Sequence, residues 1–278
     1  MERFIMILKV VLLGIVEGIS EWLPISSTGH MLLIDEFINL EMSSSFKEMF
    51  FVVIQLGAIL AVLVLFWNKI NPFNIKKGKK MQMKKDVFLL WEKTIIACIP
   101  GAIITIFFDE FIETYLHSPI VISIMLVLYG IAFIFVEKIK GKVAGKINSI
   151  ADISFKHAFY VGLFQVLSII PGTSRSGSTI LGSLLIGINR SVAAEFTFYL
   201  AIPVMFGLSF IKLVQFGFVY TLDEILVLMI GAIVSFLVSV LVIKFLLSYI
   251  KKHDFKIFGI YRIVLGIILF VYFFLIIN

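Results

Sequence analysis

The stretch that decides the fold of this chain reads EGISEWLPISSTGH and runs from Glu17 to His30. It brings two carboxylates, three consecutive hydroxyls and an imidazole into a run of otherwise apolar residues. A charged group at mid-bilayer costs roughly 2.5–3.5 kcal/mol, so these groups need partners or a water-filled cavity. Hydrogen bonding between neighbouring helices is the structural alternative, but it requires no pair of glutamates. We therefore predict that this stretch is a functional site inside a membrane.

The composition of the whole chain also indicates a membrane protein. Of its 278 residues, 60% are hydrophobic and only 15% are charged, and the mean hydropathy is +1.09. Several apolar runs reach or approach the ~20 residues that a spanning helix needs. We predict an all-α polytopic membrane protein that forms a single integral-membrane domain, 1–278. The single cysteine, Cys98, excludes an internal disulfide.

The net charge of +6 does not indicate a nucleic-acid partner, because the lysines lie in short loops between apolar runs. Lysine-rich loops mark the cytoplasmic side of a membrane. Such loops occur at 69–85, 138–156 and 251–256, whereas acidic residues mark the turns at 109–113 and 223–224. We therefore predict that the acidic turns and both termini lie outside.

Two apolar segments are interrupted by polar residues instead of spanning the membrane. The first is predicted to form helices at about 4–16 and 27–38, because the residue before Pro24 is driven out of the helical region. The second is predicted to form helices at 158–170 and 179–188 on either side of PGTSRSGS, 171–178. Full spans are predicted at about 49–67, 89–108, 118–136, 191–213, 225–250 and 257–277.

Each half of the chain thus contains a re-entrant helix hairpin followed by three transmembrane helices, in approximately 1–140 and 141–278. The segment 24–27 aligns with 171–174, and the lysine distribution makes the two halves inverted-topology repeats. In proteins of this architecture, broken helices meet near mid-membrane and line a site.

Glu17 and Glu21 are four residues apart, so they share one face of a helix. Two neighbouring carboxylates repel each other unless a cation or a shared proton lies between them. Oxygen ligands of this kind suit a divalent cation, Mg²⁺ or Ca²⁺, which often joins a carboxylate to a substrate phosphate. The alternative is that one glutamate stays protonated and structural.

Ser26, Ser27 and Thr28 precede a helix and are candidates for capping it or for binding an anion at its N-terminus. His30 lies three residues after Ser27 on the same face. A hydroxyl beside an imidazole is the usual arrangement of an activated nucleophile.

Arg175 is the most informative residue of the second break. Its guanidinium can hold two phosphate oxygens at once, and the neighbouring glycines allow the backbone to approach an anion. Pairing with a glutamate for structure alone is the alternative. The candidates for substrate binding are Ser26, Thr28, Gly172, Thr173, Ser174 and Ser176.

These motifs, EGxxEWLPxSSTGH followed by PGTSRSG, resemble those of the bacterial undecaprenyl-diphosphate phosphatase family of the bacitracin-resistance type. The resemblance covers essentially the whole chain. It implies inverted halves with re-entrant hairpins and removal of the terminal phosphate from undecaprenyl diphosphate, which recycles the carrier lipid for cell-wall synthesis. It also implies catalytic roles for Glu17, Glu21, Ser27, His30 and Arg175.

We therefore expect a hydrolase of the bacterial plasma membrane, with its active site facing outside and a polyprenyl diphosphate as substrate. Ser27 would attack phosphorus with His30 as proton acceptor or donor, although attack by His30 or by water stays open. A homodimer is also left open. A transporter or flippase of an anionic prenyl lipid is the rival, because inverted repeats with broken helices also occur in transporters.

Overall fold

A computed structural model of the chain describes residues 2–38, 40–74, 82–116, 118–140 and 145–276. Within these ranges the chain is almost entirely helical, as predicted. The paired strands of the described part are β1 (Phe73–Asn74) and β2 (Gln82–Met83), two residues each. Residues 75–81 and 141–144, which carry several of the lysines used to predict cytoplasmic loops, lie outside the described residues.

The helices follow the predicted order of a broken pair and then longer helices in each half. The described first half contains α1 (Glu2–Ser20), α2 (Ser27–Ile38), α3 (Ser44–Val53), α4 (Gln55–Ile70), α5 (Lys85–Leu116) and α6 (Pro119–Lys140). The second half contains α7 (Phe155–Val166) with a 3₁₀ turn (Leu167–Ile169), α8 (Arg175–Leu185), α9 (Arg190–Phe216), α10 (Leu222–Tyr249) and α11 (Lys256–Val271) with a π turn (Tyr272–Ile276).

Six helical segments of the described chain are long and apolar enough to cross a membrane, which confirms the predicted number. The first is α3 and α4 together, Ser44–Ile70, and it begins five residues before the predicted start at residue 49. Ser43 causes this earlier start, because its side chain accepts a hydrogen bond from the Phe46 N–H at 3.3 Å. A serine at this position satisfies a backbone donor that the helix itself leaves free.

The acidic turn predicted at 109–113 is wrong, since α5 continues through it to Leu116. The segment contains no glycine or proline, and the chain next meets a proline at Pro119, where α6 begins. The helix therefore ends close to the first residue that cannot continue it. The side chains of 109–114 lie outside the described residues.

The second break is shorter than predicted. Its returning helix α8 begins at Arg175 instead of Thr179, because Ser174 caps it by accepting a hydrogen bond from the Gly177 N–H at 3.1 Å. Arg175 thus lies in the first turn of a helix, where free N–H groups favour anions.

Glycines allow the long helices to approach one another closely. Gly57 of α4 lies against α10, where an added Cβ would fall 2.0 Å from the Ala232 carbonyl oxygen. Gly130 of α6 and Gly259 of α11 face each other in the same way. Between membrane helices, close packing at small residues replaces much of the hydrophobic effect that stabilises soluble proteins.

The helix contacts of the two halves correspond. Helix α1 packs along α10 and α7 packs along α5, so the first helix of each broken pair lies on the second long span of the other half. Helix α4 contacts α10 as α9 contacts α5, and α6 packs along α11. Exchanging the two halves therefore leaves this set of contacts unchanged.

We predict that Gly57→Ala destabilises the protein, because the new methyl group would overlap the backbone of α10. The cost should be about 1–3 kcal/mol, which thermal unfolding in detergent would detect as a lower midpoint. Gly207→Ala in α9 is the control, since no atom lies within 4 Å of its added Cβ and alanine favours a helix over glycine. Equal midpoints for the two variants would contradict the close α4–α10 contact.

Candidate active site

The two breaks share one backbone feature. Ser26 and Ser174 have positive φ angles, 74° and 71°, and no other described non-glycine residue does. Each serine precedes a helix, and its hydroxyl accepts from the N–H three residues later, that of Gly29 or Gly177. A positive φ strains a residue with a side chain by roughly 1–2 kcal/mol, so the surrounding contacts must hold both residues in place.

This match shifts the predicted alignment of the halves by one residue. Ser26, not Ser27, corresponds to Ser174, because one residue separates Pro24 from its capping serine and two separate Pro171 from its own. Ser27 therefore occupies the position that Arg175 holds in the second half. Each break thus supplies a reactive or charged side chain from the first residue of its returning helix.

Arg262 of α11 joins the two breaks. Its guanidinium is fully buried and donates to the Pro24 carbonyl at 3.2 Å and to the carbonyls of Gly172 and Thr173 at 2.7 and 2.9 Å. It also lies over the ring of Tyr129, 5.4 Å from the centroid. The sequence analysis missed this residue. An arginine inside the last apolar span was the signal, since a charged residue within a span is a functional candidate by default.

Further contacts between the breaks use the predicted hydroxyls. Ser176 lies within hydrogen-bond distance of the Glu21 and Leu23 carbonyls, at 3.2 and 3.4 Å. The Thr173 hydroxyl meets two carbonyls of its own segment, those of Leu167 and Ile170. Both side chains are buried and engaged in holding the backbone, so their predicted contact with substrate stays a prediction.

Glu21 is the centre of the site. Its Oε1 accepts from Nη2 of Arg175 at 3.0 Å, and its Oε2 accepts from the Ser27 hydroxyl at 2.8 Å. The other guanidinium nitrogen, Nη1, donates to the Thr197 carbonyl of α9 at 2.9 Å. The Glu21 and Arg175 side chains are 8% and 11% exposed, so water screens their attraction only weakly. The structure therefore brings together three predicted site residues from both halves.

Glu17 lies one helical turn before Glu21 and is buried. Its Oε1 has no hydrogen-bond partner among the described residues. Two carboxylates thus share the neighbourhood of Arg175, and one buried oxygen stays available. The described residues contain no group of three or more carboxylate, histidine or cysteine side chains that would hold a metal unaided. A hard cation at this position would need most of its ligands from phosphate and water.

The expected hydrogen bond between Ser27 and His30 does not form in this structure. Instead, the His30 ring is held at both nitrogens, with Nδ1 2.7 Å from the Ser26 carbonyl and Nε2 2.6 Å from the Tyr261 hydroxyl. Ser27 and His30 do lie one turn apart on α2, as assumed, but the Ser27 hydroxyl donates to Glu21 while the His30 ring is engaged by Ser26 and Tyr261. Tyr261 was not identified from the sequence, although it precedes the arginine that was also missed.

The remaining predicted residues surround this cluster. Thr28 is exposed, whereas Ser26 is buried and Ser174 half-buried. Gly172 has a positive φ of 92°, and an added Cβ would lie 2.6 Å from the Ile122 carbonyl oxygen, so this position requires glycine. The Gly172 carbonyl accepts a hydrogen bond from Arg262, so Gly172 helps to join the two breaks.

The profile of the bacitracin resistance protein BacA family matches residues 10–268, nearly the whole chain. This chain belongs to that family. The BacA-family chain is 63% identical over 265 residues to an undecaprenyl-diphosphatase of Enterococcus faecalis, which covers 95% of this chain and 96% of that protein. It is 56% identical over 272 residues to one of Lachnoclostridium phytofermentans, covering 98% of each, and 53% identical over 268 residues to one of Desulfitobacterium hafniense, covering 96% of each.

We predict that Arg175→Lys in this BacA-family protein loses most phosphatase activity although the charge is kept. An ammonium group cannot contact Glu21 and the Thr197 carbonyl in the same planar arrangement. The loss should be at least ~2 kcal/mol, or about 30-fold in kcat/KM. Arg190→Lys is the matched control, because Arg190 pairs with buried Glu137 away from the cluster. Near-normal turnover of Arg175→Lys would make Arg175 peripheral to catalysis.

Proposed function

We propose that the protein hydrolyses undecaprenyl diphosphate to undecaprenyl phosphate and inorganic phosphate within the bacterial plasma membrane. This recycles the lipid carrier of peptidoglycan synthesis and accounts for bacitracin resistance. The observation that carries the proposal is the pair of hydrogen bonds to the Glu21 carboxylate. It accepts one from the Ser27 hydroxyl of the first half and one from the Arg175 guanidinium of the second half. The relatives at 53–63% identity named undecaprenyl-diphosphatase support it independently.

In the first step Ser27 Oγ attacks the terminal phosphorus. The oxygen–phosphorus bond forms as the bond to the bridging oxygen breaks, and undecaprenyl phosphate leaves with that oxygen. The proton of Ser27 passes to Glu21, which already accepts it at 2.8 Å. This assigns to Glu21 the role that the sequence analysis gave to His30, because the Nε2 atom of His30 faces Tyr261.

In the second step water hydrolyses the phosphoserine. The water oxygen bonds to phosphorus as the bond from phosphorus to Ser27 Oγ breaks. Glu21 returns its proton to Ser27 Oγ, which restores the hydroxyl that it faces. One water proton passes to His30 and from there to solvent, and the other stays on the released phosphate. Arg175 and the first turns of α2 and α8 stabilise the charge on the phosphoryl oxygens, which is the main task in phosphoryl transfer.

We further propose that Glu17 and Glu21 hold a divalent cation, Mg²⁺ or Ca²⁺, together with substrate phosphate. When bound, such a cation neutralises charge on the diphosphate and orients it. The free buried Oε1 of Glu17 supports this role. A transporter of an anionic prenyl lipid would need Arg175 but not a hydroxyl paired with a carboxylate, so the hydrolase is favoured.

The proposed architecture is two inverted repeats whose re-entrant hairpins, α1–α2 and α7–α8, enter from opposite sides. The exchangeable helix contacts and the matched positive-φ serines support the repeat. The lysine-rich loops put the first hairpin and both termini on the outer side. The active site would then open outwards, where carrier lipid is left after cell-wall polymerisation. A homodimer stays a prediction.

Purified protein in detergent should release phosphate from undecaprenyl diphosphate, a condition in which lipid flipping is impossible. Glu21→Gln should abolish this release more completely than Glu17→Gln, because only Glu21 contacts both Ser27 and Arg175. Excess chelator should also stop it, and added Mg²⁺ or Ca²⁺ should restore it. Activity unchanged by chelator would remove the cation from the proposal, and no release by the wild-type protein would overturn the hydrolase.

Cysteine labelling in a Cys98→Ala background should test the orientation. Thr28→Cys reports on the site, while Val219→Cys and Asn148→Cys mark the proposed outer and cytoplasmic loops, and all three native side chains are exposed. A maleimide that cannot cross membranes should label residues 28 and 219 in intact cells and residue 148 only after lysis. Labelling of residue 28 together with 148 would reverse the orientation.

A further inference from the structure

The tautomer of His30 follows from its hydrogen bonds. Nδ1 lies 2.7 Å from the carbonyl oxygen of Ser26, and a carbonyl oxygen only accepts. The hydrogen must therefore be on Nδ1. A neutral imidazole carries one such hydrogen, so Nε2 presents a lone pair.

Tyr261 of α11 donates a hydrogen bond to that lone pair. Its hydroxyl lies 2.6 Å from Nε2 and is the donor, since the neutral ring has no hydrogen there. The two rings are nearly parallel, at 2°, with centroids 5.5 Å apart. A tyrosine hydroxyl and a backbone carbonyl thus hold the imidazole from opposite sides.

The neighbouring Arg262 fixes where Tyr261 lies. Its three hydrogen bonds tie α11 to both breaks. Helix α11, and Tyr261 with it, therefore cannot shift relative to Ser26 without breaking these bonds. At the far end of α2, Phe37 and Tyr272 also pack together, with ring centroids 5.4 Å apart. The His30–Tyr261 and Phe37–Tyr272 pairs thus mark a seam that α2 forms with α11 and the π turn after it.

The pair is reachable from outside the helix bundle. Tyr261 is 44% exposed and Thr28 is also exposed, whereas Glu21 and Ser26 are buried. The Tyr261 side chain is therefore more accessible than Ser27, which is half-buried. An arriving phosphate oxygen can take over the hydroxyl hydrogen and leave Nε2 free.

We propose that Tyr261 is a positioning residue for His30, which it holds in the Nδ1–H tautomer with Nε2 as the proton-accepting atom. The proposal rests on the proposed function in that His30 acts during hydrolysis. Once substrate takes the tyrosine hydrogen bond, Nε2 is oriented to accept a proton from the water that attacks the phosphoserine. Ser27 and His30 then serve different steps, which explains why the structure keeps them apart.

The first test is steady-state phosphate release by Tyr261→Phe, which keeps the ring and removes the hydroxyl. We expect kcat to fall about tenfold with little change in KM, as for the loss of one orienting hydrogen bond. Tyr249→Phe is the matched control, because Tyr249 also stacks on a histidine, His253, at 4.4 Å but lies away from the cluster. In a His30→Gln background, Tyr261→Phe should cause no further loss. Full activity of Tyr261→Phe, or an equal loss in both backgrounds, would overturn the proposal.

The second test does not depend on activity. In protein labelled with ¹⁵N at its four histidines, His30 should show the Nδ1–H tautomer, with its signals identified by their loss in His30→Gln. Tyr261→Phe should raise the fraction of the Nε2–H tautomer, and Tyr249→Phe should not. An Nε2–H tautomer in the wild type would overturn the positioning role even if the enzyme is active. The expected tautomer in a protein that releases no phosphate would instead refute the proposed function alone.

Discussion

Two interrupted helices leave backbone carbonyls free in the interior of the helix bundle, and the fold depends on satisfying them. Lipid offers no hydrogen bonds, so irregular backbone survives there only when protein or a cavity supplies the partners. Arg262 provides three such bonds and thereby joins Pro24 of one break to Gly172 and Thr173 of the other. Ser176 adds a hydroxyl to the same junction. The two breaks are therefore one structural unit, although each is built by a different half of the chain.

The charges of this unit explain its fit to a phosphate ester. Glu21 is neutralised by Arg175, but Glu17 has a free oxygen and Arg262 forms no ion pair with any described carboxylate. Buried charges that are only partly compensated are costly and are usually found where a ligand completes them. A diphosphate offers negative oxygens to the guanidinium groups, and a cation between it and the carboxylates would balance the remainder.

The structure also separates two groups that the sequence analysis placed near one another in the site, the Ser27 hydroxyl and the His30 imidazole. Ser27 faces the Glu21 carboxylate, whereas His30 faces Tyr261 across the seam between α2 and α11. A hydrolysis through a phosphoserine has two attacks, and each needs an acceptor placed near a different oxygen.

The sequence by itself determined the membrane class, the six spans, the two breaks and the family. These depend on local composition and on motifs such as EGISEWLPISSTGH, which are visible without tertiary contacts. The register between the halves was wrong by one residue because it depends on the positive φ of Ser26 and Ser174. The partners of Ser27, His30 and Arg262 required the tertiary structure, since the hydrogen bond of Arg175 to Glu21 spans 154 residues and that of His30 to Tyr261 spans 231. Spacing along one helix cannot reveal contacts of that kind, because the packing of α8 and α11 against the breaks decides which polar atoms meet.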